Sequence, residues 1–175
     1  MDFYFLQTAL EVIDFRSFSN LWFWIALAVL WSTASHWVIG VPFDMVRRAQ
    51  QGHDASTQDM LTLAAIQSRR IRYIAEATGV ITTGFAFFVV SSLVIMGFLY
   101  DVEFAQALLS LFLPLTIVGW LSLLTARRVE GLEATALARL LANHRRMVQA
   151  VGIVSIFVTS MWGMWVNLNH SVLGG

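Results

Sequence analysis

Ser19–Phe43 reads SNLWFWIALAVLWSTASHWVIGVPF, a stretch with no Asp, Glu, Lys or Arg. At about 1.5 Å of rise per residue, a helix over it reaches across a hydrocarbon core of about 30 Å. Three comparable stretches follow. The expected fold is therefore all-α: a polytopic integral membrane protein with four transmembrane helices in an antiparallel bundle and cytoplasmic helical extensions. The spans fall at about 20–42, 77–100, 104–125 and 147–168, within a single membrane domain covering 1–175.

On the N-terminal side, Met1–Phe18 places Phe3, Leu6, Leu10 and Ile13 on one helical face and Gln7, Glu11 and Asp14 on another. Such an amphipathic helix either lies in the membrane interface or packs on the bundle's own loops. It is not a secretory signal, because it starts with Asp2 and no basic residue. Within the first span, Trp22 and Trp24 mark one interface and Trp37 the approach to the other. Ala28, Ser32 and Ser35 form a small-residue stripe suited to close helix approach. Pro42 ends the span or starts a turn.

On the C-terminal side, Asp44–Ser56 reads as a polar connection. Ser56 or Thr57 is expected to cap a helix running unbroken to Phe98. Its first part, Gln58–Glu76, is too charged for lipid, and its second is the second span. Asp101-Val102-Glu103 makes a tight turn into the third span. Pro114 should kink that span, which requires a neighbour to satisfy the carbonyl it frees. Glu130–Arg146 is a second polar extension with an apolar side at Leu132, Leu137, Leu140 and Leu141. The two extensions are expected to pack on each other, since isolated helices of this length are marginal in water. Gly152, Ser155, Thr159 and Gly163 form a small-residue stripe along the fourth span. Each half reads as span, Arg pair, amphipathic helix, Arg pair, span. A distant duplication or two hairpins of like design both give that pattern.

The eleven basic residues are all Arg and are balanced by eleven acidic ones. Zero net charge argues against nucleic acid as a partner. Ten of the eleven Arg fall in two connections: Arg47, Arg48, Arg69, Arg70 and Arg72 between spans one and two, and Arg127, Arg128, Arg139, Arg145 and Arg146 between spans three and four. The positive-inside rule makes that side cytoplasmic and both termini periplasmic in a bacterial inner membrane. Arg69, Arg70, Arg72, Arg127, Arg128, Arg145 and Arg146 are the candidate lipid or partner contacts, since Arg binds phosphate and carboxylate bidentately. Topology and lipid phosphates, an acidic cytoplasmic partner, and a small anion are the three roles such clusters serve.

His36 is the one strongly titratable residue within a span, with Ser32 and Ser35 beside it. A neutral ring bonded to a neighbouring helix accounts for it. Haem or metal ligation together with His144 is the sharper alternative, but no spacing motif accompanies the pair. The chain has no Cys, which removes disulfides and thiolate ligation within it. No paired carboxylates, nucleophile elbow or phosphate-binding glycine loop is present. No catalytic, cofactor-binding or metal-ligating residue is therefore assigned. The expected role is a non-enzymatic membrane accessory, anchoring or assembly subunit, its Arg-rich face meeting anionic lipid and a protein partner. The alternative is a small channel or transporter working as a homo-oligomer.

The run Asp14-Phe15-Arg16-Ser17-Phe18-Ser19-Asn20-Leu21-Trp22, with Trp31-Ser32, Ser35-His36-Trp37-Val38 and Gly40-Val41-Pro42-Phe43-Asp44, resembles a family of short inner-membrane proteins. These come from alphaproteobacteria of the Rhodobacter group and are sometimes labelled a component of the Suf iron–sulfur assembly complex. The resemblance implies an inner-membrane location and a cytoplasmic partner. It does not carry cluster chemistry over to a chain without Cys.

Overall fold

The computed structural model of the chain describes Phe18 and residues 21–173, with side chains as far as Leu168. The amphipathic helix expected over Met1–Phe18 lies outside the described residues, Phe18 excepted. The rest is all-α apart from one small hairpin. In order the elements are α1 (Leu21–His36), β1 (Trp37–Val38), β2 (Val41–Pro42), α2 (Phe43–Gln50), α3 (Asp54–Phe98), α4 (Glu103–Ala126) and α5 (Ala134–Leu173). Three helices, α3, α4 and α5, are long and apolar enough to cross a membrane.

The first expected span is where the structure departs. It was expected over about 20–42, but α1 stops at His36 after 16 residues, about 24 Å. The next six residues form an antiparallel hairpin, with Trp37 opposite Pro42 and Val38 opposite Val41. Its two turn residues, Ile39 and Gly40, both have positive φ, 52° and 77°. That is the backbone a two-residue hairpin turn requires. A β-branched residue is strained there. Ile39 is held in place because its side chain is buried in the same core as Val38 and Val41.

The connection after it is an amphipathic helix. Along α2, Val46 is fully buried and Phe43, Met45 and Ala49 pack against the core, while Asp44, Arg47 and Arg48 are exposed. The core they join contains Met60 and Ala64 of α3 and Leu137 and Leu141 of α5. Both extensions thus contribute to one core, but α2 packs on both of them and they meet each other sparingly. The helix start also moves. His53, not Ser56 or Thr57, is the N-cap of α3, and Asp54 opens its first turn.

α3 is continuous for 45 residues, as its lack of a breaker predicts. Its most apolar 18-residue window is wholly unburied, leaving Val80, Ile81, Phe85, Phe87 and Phe88 exposed. Four residues connect it to α4, and Gly97 lets the helices touch: a Cβ there would stand 3.1 Å from Gln106 Cγ. The stripe on α5 is a packing surface. A Cβ on Gly152 would meet Trp31 Cε3 at 2.8 Å, and one on Gly163 would meet Phe18 Cδ1 at 3.0 Å. The stripe on α1 is not, since Ala28 and Ser32 are exposed. Leu27 and Trp31 make the α1 contact instead, packed with Val148 of α5.

Candidate functional site

The Arg-bearing end is the first candidate, and the seven residues expected there divide into two kinds. Arg69, Arg70, Arg127, Arg128 and Arg146 are exposed. Arg72 and Arg145 are half-buried and engaged. Arg72 forms an ion pair with Glu130 that ties α3 to the α4–α5 loop, and its Nε is buried with no partner. Arg145 donates from Nε to the Ser35 carbonyl at 3.1 Å, and its guanidinium carbon lies 3.8 Å from the centre of the Phe43 ring. Ser35 belongs to the last turn of α1, where carbonyls have no partner within the helix and the end carries partial negative charge. One cation thus closes α1, stacks on α2 and stands on α5.

The two candidate histidines exchange the roles that the sequence suggests. His36, expected to bond to a neighbouring helix, is exposed at the end of α1, edge-to-face with Trp37 at 5.9 Å between ring centres. His144, expected at the polar start of a span, is 2% exposed. Its Nδ1 is 2.9 Å from Thr125 Oγ1 on α4. The Thr125 hydroxyl donates to the Leu121 carbonyl at 2.8 Å, so its one proton is committed. His144 therefore carries its own proton on Nδ1 and donates to Thr125. Among the described residues no three His, Asp or Glu gather as a metal site would require.

At the other end, Gln106 links three helices. Its Nε2 donates to the Gly97 carbonyl of α3 at 2.7 Å, and its Oε1 accepts from Trp162 Nε1 of α5 at 2.9 Å. Phe18 closes this end. It is buried, its backbone N–H donates to Glu103 Oε1 at 2.8 Å, and its carbonyl accepts from Trp24 Nε1 at 3.1 Å. Between the two ends, Pro114 lies inside α4 without breaking it. Proline has no N–H, which frees the carbonyl four residues earlier, that of Ser110. Ser155 of α5 donates to that carbonyl at 3.3 Å, the neighbour the sequence called for. A cavity of about 550 Å³ opens beside it, walled by Leu113, Pro114, Ile117, Val154 and Trp162 and almost wholly apolar.

No family model matches the chain, and no curated protein or solved structure matches it. The site is therefore read on its own chemistry. Gln106 escapes sequence reading because one amide near the start of an apolar helix resembles an end-of-span polar residue. Arg145 is among the seven expected contacts, but nothing separates its role from that of Arg146 until the ring of Phe43 and the end of α1 are in place.

Proposed function

We propose that this chain is a non-enzymatic accessory or anchoring subunit of a bacterial inner membrane. It crosses four times as an antiparallel bundle, with α1 as the first span, both termini periplasmic and the Arg-bearing end cytoplasmic. One observation carries the reading. The two connections that hold ten of the eleven Arg fold around a single core built from α2, the hairpin and the ends of α3 and α5. Positive charge is thereby gathered on one body rather than spread over loops, which is what meeting anionic lipid or an acidic partner requires. The uncovered face of α3, with Val80, Phe85 and Phe88, offers a second surface for a membrane partner or another copy. The cavity beside Pro114 is mostly apolar, with Gln106, Ser110, Ser155 and Thr159 the polar residues of its lining.

Alkaline phosphatase fused after Gly175 should be active and a fusion at Gly52 inactive. The reverse pattern overturns the orientation. Mild-detergent pull-down should recover a stoichiometric partner, whereas solute flux through liposomes of the pure protein would replace this reading with a transport one.

A further inference from the structure

α1 and α5 leave a groove between them whose chemistry changes along its length. At the Arg-bearing end it is a polar cleft of about 410 Å³ lined by Ser32, Thr33, Ser35, His36, Trp37 and Arg145. Further along it is a mostly apolar trough of about 320 Å³, with Trp31, Val148, Gly152, Ile153 and Ile156 in its walls beside the polar Gln149. Ser35 borders both, so the two compartments adjoin.

The polar compartment suits an anion. Arg145 is already immobilised by the Ser35 carbonyl and the Phe43 ring, so a ligand meets a guanidinium whose freedom is largely spent. Its Nη groups meet no carboxylate among the described residues, and no acidic side chain lines the cleft. His36 adds a second donor, a ring nitrogen, and Trp37 stands half-exposed at the mouth, as a Trp does at the headgroup level. The apolar compartment suits a hydrocarbon chain. Trp31 is 6% exposed and turns the carbon edge of its ring toward Gly152, so it forms part of the wall. Trp31 precedes His36 by five residues, so it lies about 7 Å deeper along α1. The acyl chains lie on that side of a lipid phosphate.

We infer that the α1–α5 groove binds one anionic phospholipid. Its phosphate sits on Arg145 and His36, and one acyl chain follows Gly152 and Ile156 past the Trp31 ring. The inference deepens the proposal that the Arg-bearing end meets anionic lipid, and rests on it.

Native mass spectrometry of the full chain, titrated with phosphatidylglycerol in mild detergent, tests it. One tightly retained lipid per chain is expected. Arg145→Ala should weaken retention about tenfold, as loss of a charge-assisted contact does. Arg139→Ala, at an exposed position outside the groove, should leave it within about twofold, as screened surface charges do. Ile153 is 70% exposed, so Ile153→Trp fills the trough without altering charge or disturbing the core, and the tight lipid should be lost. Equal weakening by Arg145→Ala and Arg139→Ala would mean diffuse attraction and overturn the site. So would displacement of the lipid by inorganic phosphate, which would leave a free-anion cleft. If the fusions place the Arg-bearing end in the periplasm, the functional reading fails; if they uphold it and no lipid is retained, this inference alone fails.

Discussion

Thr125 and His144 are a pair whose removal is informative because each leaves the other buried. Thr125→Val keeps the shape and deletes the acceptor, stranding the His144 N–H. The expected loss is about 1–3 kcal/mol, read as a lower thermal midpoint in detergent. His144→Phe made in the Thr125→Val background should then cost less than in the wild type. Equal costs would show that the two do not interact. At Gly152 the effect is steric. Gly152→Ala puts a methyl group 2.8 Å from the Trp31 ring, and overpacking of this kind costs about 1–3 kcal/mol. An unchanged midpoint would show that α1 shifts freely on α5. The histidines also mark a limit of sequence reading. Hydropathy assigns depth from neighbours in the chain, which put His36 inside a span and His144 outside one. Burial of His144 comes from α4, 19 residues earlier in sequence, which no local window sees.

Helix α4 carries a compensation that can be measured. Ser155→Ala removes the donor to the Ser110 carbonyl and should cost about 0.6 kcal/mol, a typical value for an interhelical bond in an apolar setting. In a Pro114→Ala background that cost should shrink, because the restored N–H serves the same carbonyl. A double-mutant cycle on unfolding in mixed detergent reads the coupling, and a cycle that closes at zero removes the compensation argument. The need for this neighbour was legible from one proline in an apolar run, as was the unbroken run of α3 to Phe98 from its lack of a breaker. The hairpin was not. Ser19–Phe43 has no charged residue to mark a helix end, and Ile39 is among the least expected residues at positive φ. Pro42 signalled an end or a turn, but six residues beyond where the helix stops, and Gly40, a single glycine in an apolar stretch, is equally at home inside a helix that crosses a membrane.

Taken as a whole, the molecule has one end that behaves as a folded body and a long apolar remainder. Leu137 lies at the centre of that body, 1% exposed. Leu137→Ser should cost at least about 2 kcal/mol, as large-to-small core changes do. The consequence is local: trypsin should cut faster at Arg47, Arg48, Arg127 and Arg128 while the chain still inserts. Unchanged cutting would mean that the core does not hold those segments. Charge segregation made this end legible in outline, but the means of joining its two connections, an amphipathic α2 inserted with the hairpin, needed three dimensions. The same hairpin bears on the bilayer itself. By stopping α1 at about 24 Å, it leaves a helix several ångströms shorter than a hydrocarbon core of about 30 Å, beside neighbours long enough to cross one. For α1 to serve as the proposed first span, the lipid around it must thin, or a second short helix must share the deficit. On that proposal bilayer thickness bears on stability, and the thermal midpoint in nanodiscs should rise as the acyl chains of the lipid are shortened.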